Sequence, residues 1–380
     1  MKGTANYDAL VLERLLKGER FVNSHGAKVK ISQGADIQPG FLDPWLLERL
    51  QSSADQRQSQ GGPDLQSIIN SGMGIEKLLV LLRNLGLSAR GDANTIDLCQ
   101  GEIQVDHSEH VFWENKIKLW RYQKKEFDTS ISHPCLVHFH GGGFFAGSPD
   151  GHNDMLKYIA EKTDAVVFDL DYSLSPEYKF PHAFMDCYNA VKHVYEHAAE
   201  YHVDPDKIAI GGGSAGANIS AAITLKAKAE GTPPIALQVL MNPAVLFGAT
   251  VREGYVWDKD EFFVADEMKP FVGEISCPET DWKMAAMAKP YRGDEPAENI
   301  YLSPMLADDF SGLPKALIFT SELDGLRIQG EYYAGLLTQA GVDVRATRYT
   351  GTMHETLGQF GYVPLCEACA IEIVNALKAL

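Results

Sequence analysis

The stretch Ile208-Ala-Ile-Gly-Gly-Gly-Ser-Ala-Gly-Ala-Asn-Ile-Ser220 decides how this chain is read. Lys207 to Ile210 is a short apolar run of the kind that forms a buried strand. Ala215 to Ala229 is rich in helix formers. Ser214 therefore stands at a strand-to-helix turn, flanked by residues small enough to let the backbone fold sharply and push the hydroxyl outward.

Outward from that turn, strands and helices alternate. "CLVHF" (135–139) precedes a helix near Asn153 to Glu161, and "AVVFDL" (165–170) one from about Ala183 to Glu200. "IALQVLMN" (235–242) is followed by an irregular region, "KALIFT" (315–320) by a helix from Arg327 to Gln339, and "VDVRATRY" (342–349) leads to a last helix. Such alternation predicts an α/β fold, a mostly parallel central sheet flanked by helices on both faces. Reactive groups in such sheets sit in loops at the carboxyl ends of strands. Two segments break the rhythm. Residues 1–95 read as helical with breaks, the polar run "QSSADQRQSQGGPD" (51–64) as a loop. An insertion at about 248–300 carries the helix-like pieces "DEFFVADEMKPFV" and "TDWKMAAMAK". Together they are expected to form a helical cap over a catalytic domain spanning 96–380. Within that domain, "TIDLCQGEIQV" (95–105) and "ENKIKLWRYQ" (114–123) alternate as an antiparallel pair does.

Composition narrows the function. The 380 residues hold 51 acidic and 34 basic side chains, a formal charge of -17. Nucleic acids and anionic membranes want Lys/Arg surfaces, so neither is an expected partner. The N-terminal twenty residues are interrupted by Asp8, Glu13 and Arg14, and no stretch reaches bilayer-spanning length. Six scattered cysteines suit a reducing, cytoplasmic setting, and the Cys366/Cys369 pair reads as two cysteines on one helix face.

Gly212-Gly213-Ser214-Ala215-Gly216 satisfies G-x-S-x-G, the nucleophile elbow, although a glycine-rich phosphate cradle or a simple tight turn uses the same residues. A second element, "VHFHGGGFFAGS" (137–148), directly follows a strand. Attack on an ester carbonyl makes an oxyanion, and preformed amide donors must already face it. The assigned donors are the N–H groups of Gly142, Gly143 and Ala215. His138 and His140 read as structural, and no carboxylate or cysteine cluster accompanies them, so no metal is expected.

"HGGGFFAGS", "DYSLSPEYKFP", "GGSAGAN", "SELDGLR" and "MHETLG" occur in the order of the hormone-sensitive-lipase-like (bacterial family IV) carboxylesterases, which this chain resembles from about Pro134 onward. The resemblance implies an α/β-hydrolase fold with a helical cap and cofactor-free hydrolysis of carboxylic esters. By motif, it makes Ser214 the nucleophile, Asp324 the acid and His354 the base, in the chain order of this fold. Glu322, two residues before Asp324, is a competing acid. The resemblance also implies a homodimer joined through an edge strand or the last helix. Three departures stand out: Gly213 before the nucleophile, Gly325 where proline usually follows the acid, and Glu355 after the histidine. Glu355 either points to solvent or approaches His354 and stabilises its imidazolium. Candidate substrate-pocket walls are Phe144, Phe145, Tyr255 and Phe263, with Trp257 and Phe262 beside them. The expected activity is that of a serine carboxylesterase on small- to medium-acyl or aromatic esters. An amidase or acyltransferase with the same triad, or a non-catalytic binding relative, is the alternative.

Overall fold

A computed structural model describes residues 3–18, 20–60, 73–84, 95–248, 251–281, 288–354 and 356–380. Ten strands form one sheet: β1 (Phe21–Ser24), β2 (Ala27–Ser32), β3 (Ile103–Phe112), β4 (Asn115–Lys124), β5 (His133–Phe139), β6 (Val166–Asp171), β7 (Val203–Gly213), β8 (Leu237–Met241), β9 (Lys315–Ser321) and β10 (Val344–Tyr349). Their order is β1-β2-β10-β9-β8-β7-β5-β6-β4-β3. Every pairing from β2 across to β6 is parallel, and the antiparallel pairs lie at the two ends. The central strands are buried on both faces, which is why they read as continuous apolar runs.

Alternation along these strands divides the core. Leu136, Val167, Val239 and Phe319 face one layer of helices, α4 (Asn153–Thr163) and α9 (Pro364–Lys378), with α1 (Ala9–Lys17) beside them. Val137, Phe168, Ile210 and Ile318 face the other layer, α5 (His182–Glu196), α6 (Ala215–Glu230) and α8 (Arg327–Gln339). Cys366 and Cys369 lie buried on the sheet-facing side of α9.

Outside the insertion, the strand and helix expectations from β5 onward hold, with α8 matching its predicted bounds. The first ninety-five residues depart from an all-helical segment. α1, α2 (Pro44–Gln60) and α3 (Ile75–Asn84) are helices, but β1 and β2 form a hairpin that extends the sheet, β2 lying parallel to β10. Ala27-Lys-Val-Lys-Ile-Ser32 alternates strictly, and Ala27 and Val29 are buried while Lys28 is exposed. α2 also runs on to Gln60 through the polar stretch read as a loop. That stretch has no glycine or proline before Gly61, so nothing in the backbone stops the helix. β3 and β4 do pair antiparallel, Ile103 opposite Lys124 and Phe112 opposite Asn115, but β3 starts eight residues later than the reading from Thr95. Within the insertion, Lys259–Glu261 and Asp266–Met268 are single 3-10 turns, and α7 (Lys269–Val272) is one α turn. Most of "TDWKMAAMAK" lies outside the described residues.

Candidate active site

Ser214 occupies the junction of β7 and α6 with φ 54° and ψ -111°, a conformation that costs a non-glycine residue about 1–3 kcal/mol. Two main-chain bonds hold it there. Its N–H donates to Met241 O at 2.8 Å, and its carbonyl accepts the N–H of Asn218 at 3.0 Å, opening α6. The turn is tight enough to explain Gly216, where a Cβ would stand 1.9 Å from the carbonyl oxygen of Phe139 on β5.

Three loops from three strands meet at this hydroxyl. His354, beyond β10, has Nε2 2.9 Å from Ser214 Oγ. Its Nδ1 lies 2.7 Å from Asp324 Oδ2, beyond β9. A carboxylate only accepts, so Nδ1 carries the proton and Nε2 is left to accept from the serine. The other Asp324 oxygen accepts the N–H of Leu326 at 3.0 Å, fixing the carboxylate plane. Asp324 is 6 % exposed and His354 36 %, so the acid is enclosed while the imidazole edge meets solvent.

Glu322, the competing acid, faces elsewhere. Its Oε2 accepts the N–H of Gly351 at 2.7 Å, bracing the loop that carries His354. That loop is held by the N-terminal segment as well. Thr350 N–H donates to Ser32 O on β2 at 2.9 Å, and Asp43 N–H donates to Gly351 O at 2.8 Å. Glu355 lies outside the described residues.

The glycine motif after β5 turns toward Ser214. Gly142 has φ 122°, and a Cβ there would stand 2.1 Å from Ala146 O, so no other residue fits. Gly142 O accepts the N–H of Ala146 at 3.0 Å, closing the loop on itself. Among the described residues, the N–H groups of Gly142 and Gly143 donate in none of the turn or loop bonds, and Ala215 N–H is in the unpaired first turn of α6. Behind the loop, the His140 ring stacks on Tyr172 with centroids 4.1 Å apart, and the Tyr172 hydroxyl donates to His140 O at 2.8 Å. Burial pushes His140 down to about 4, so it stays neutral as Nδ1–H donates to Gly141 O. His138, pushed down to about 3 by burial, lies 3.2 Å from Asp169, which burial pushes up to about 7. Among the described residues, no three His, Cys, Asp or Glu side chains are placed to hold a metal.

The aromatic candidates do not share one environment. Phe144 is 3 % exposed and stacks on Tyr291 at 3.9 Å, inside the core. Tyr255 is buried with its hydroxyl donating to Glu279 at 2.8 Å. Phe263 is 64 % exposed, turned to solvent. Apolar area drives aromatic rings into whatever core they can reach, and residue type alone does not say which. Phe145 packs against Leu79 of α3, and its ring edge stands 3.0 Å from where a Gly143 Cβ would be, so it stays beside the glycine loop. Trp257 stacks with Phe262 and donates Nε1–H to Gly325 O at 2.9 Å, which places it on the acid loop. The Gly325 departure has its explanation there: a Cβ would meet Ser276 O of the insertion at 2.7 Å, so the acid loop is packed too closely for a larger residue.

Arg83 escaped sequence reading. From α3 it reaches Phe145 O and Ser175 O, each at 3.4 Å, and pairs with Glu177, tying a covering helix to the glycine loop. Its partners lie 62 to 94 residues away, and nothing local marks it.

A sequence profile of the alpha/beta hydrolase fold matches residues 136–358, more than half of the chain. The arylesterase of Saccharolobus solfataricus is 34% identical over 223 residues, covering 59% of this chain and 68% of that protein. The carboxylesterase NlhH of Mycobacterium tuberculosis is 35% identical over 253 residues, 65% of this chain and 73% of that one. A hyperthermophilic esterase from the archaeon Pyrobaculum calidifontis has a solved structure that superposes with a TM-score of 0.65, at 29% identity, covering 90% of this chain and 99% of that one. With its strand-end loops and these relatives, the chain belongs to the α/β-hydrolase fold family, in its hormone-sensitive-lipase-like branch, and is a carboxylic ester hydrolase.

Proposed function

We propose that Ser214 attacks the ester carbonyl, with His354 as general base and Asp324 as its orienting acid. The observation that carries this reading is the unbroken hydrogen-bonded line from Ser214 Oγ through His354 to Asp324 Oδ2. His354 takes the hydroxyl proton as Oγ bonds to the acyl carbon, and Asp324 stabilises the imidazolium. The negative charge that moves onto the carbonyl oxygen is met by the N–H groups of Gly142, Gly143 and Ala215, each such donor being worth about 3 kcal/mol in the transition state. His354 then protonates the departing alcohol, leaving an acyl ester on Ser214. Water, deprotonated by the same imidazole, releases the acid and restores the serine.

The substrates are small- to medium-acyl or aromatic esters. This is supported by the arylesterase relative and by the charged insertion "WDKDEFFVADEMK", which offers no broad apolar lid for lipid droplets. The helices of the first ninety-five residues and the insertion act as the cap. The six free cysteines, most of them buried, suit a reducing cytoplasm, and among the described residues no helix is long and apolar enough to cross a membrane. A homodimer would use α9 or an end strand of the sheet, β1 or β3.

A fluorophosphonate probe with a nitrophenyl ester panel of rising acyl length tests the reading. Wild-type protein is expected to be labelled, and Ser214→Ala not. Labelling that survives Ser214→Ala sinks the proposal, and turnover of anilides above esters reassigns the substrate class.

A further inference from the structure

β8 lies between the strand that carries Ser214 and the strand that carries Asp324, yet it contributes no residue to the triad. Its last residue and the one after it, Met241 and Asn242, are bonded to two triad members at once. Met241 O accepts the N–H of Ser214 at 2.8 Å. The Asn242 side chain donates Nδ2–H to the main-chain oxygen of His354, also at 2.8 Å. Only the amide nitrogen can face a carbonyl oxygen, so the partner itself sets the orientation of this side chain.

Asn242 is anchored well enough to transmit position. It is 3 % exposed, and its own N–H donates to Phe319 O on β9 at 2.7 Å. Its φ is 46°, the left-handed region that asparagine tolerates better than other side-chain-bearing residues. One residue thus meets two demands: a backbone that turns off the sheet, and an amide donor aimed at the base. Serine and aspartate are short of one or the other.

We infer that Asn242 is a positioning residue for the base, holding the His354 main chain at a fixed distance from the Met241 carbonyl that anchors Ser214. The inference rests on His354 being the base. Serine and imidazole sit on loops 140 residues apart in sequence, and among the bonds that set their 2.9 Å approach, those from one rigid point reach both. The dipeptide at the end of β8 is that point. Misplacement by about 1 Å typically costs about a hundredfold in rate, so a single anchoring bond has leverage on kcat without touching substrate.

Asn242→Gly and Asn242→Asp test this with the intact chain. Glycine keeps the left-handed backbone and removes the amide. Aspartate keeps the shape but sets a carboxylate against the His354 carbonyl. For Asn242→Gly, kcat on a nitrophenyl ester is expected to fall about ten- to a hundredfold with KM changed less than about threefold, and fluorophosphonate labelling of Ser214 to slow in proportion. For Asn242→Asp, a similar fall is expected, and the acid limb of the pH profile of kcat/KM moves to higher pH because the new charge favours the imidazolium. Wild-type rates and an unmoved acid limb in both variants would overturn the inference. So would a loss of rate matched by loss of near-ultraviolet circular dichroism in the glycine variant, which would make Asn242 a folding residue. A wild-type protein that neither turns over esters nor takes the probe overturns the function reading instead, and the two failures are separable on that control.

Discussion

The carboxyl edge of the sheet and the segments around it, proposed to cap it, are built by different rules. At the edge, Ser214, the glycine loop, Asp324 and His354 each follow directly on a strand, and each is held by main-chain bonds to neighbouring strands or loops. The segments around it, α3, the residues before α2 and the insertion, reach the edge through isolated contacts. Arg83 touches the glycine loop, Trp257 the acid loop, and Asp43 the histidine loop through its N–H. The edge carries chemistry that needs tight geometry, so its positions come from the rigid sheet. The surrounding segments touch those loops at single points, so their contacts brace the edge without building it.

If this division is right, damage at the edge should be far more severe than damage to the cover. His354→Ala is expected to lower kcat about 10⁵- to 10⁶-fold, and Asp324→Asn about 10⁴-fold, with the fold intact, because a triad acts as a unit. Nitrophenyl ester kinetics with circular dichroism measure both, and near-normal turnover in either would move the base or the acid elsewhere. Next in size is Gly142→Ala. A Cβ 2.1 Å from Ala146 O forces the glycine loop open, and losing a donor there should cost about 10²- to 10³-fold in kcat with a small change in KM.

Trp257→Phe sharpens the comparison. It keeps a ring but loses the bond to Gly325 O, worth about 1 kcal/mol, so turnover should drop about fivefold. A similar drop for every ester in a panel places the effect on the acid loop. A drop confined to bulky acyl groups would restore Trp257 as a pocket wall.

The last effect is on stability rather than on rate. Asp169 is buried, and its carboxyl is pushed up to about 7 from 3.8. A group whose folded pKa is raised stabilises the native state most at low pH and loses that stabilisation as pH rises to the folded value. The melting temperature of wild type relative to Asp169→Asn should therefore decline from pH 4 to pH 7 and level off above, read by thermal scans. A flat difference would mean that Asp169 is ionised throughout, paired with a charged His138.

Much of the edge was legible before any coordinates. Gly212 to Gly216 announces a turn because only small residues fit it, and the turn's place between an apolar run and a helix-forming run says what it presents. The cover was less legible. Of the aromatic candidates, Phe144 and Tyr255 are nearly fully buried and Phe263 is exposed, a difference their residue type does not announce, while the strands β1 and β2 hide in a segment whose helices dominate its pattern.

From its own residues, the sequence determined the alternation of strands and helices, the elbow at Ser214, the glycine loop and the chemical types that meet there. Those are local properties, set by periodicity and sterics over some ten residues. Tertiary structure alone decided that Asp324 and not Glu322 faces His354, that residues 21–32 complete the sheet, and that Trp257 and Asn242 brace the loops. Such partners stand tens to hundreds of residues apart. Whether two polar groups meet depends on the path of the whole chain, and no short window of sequence records that path.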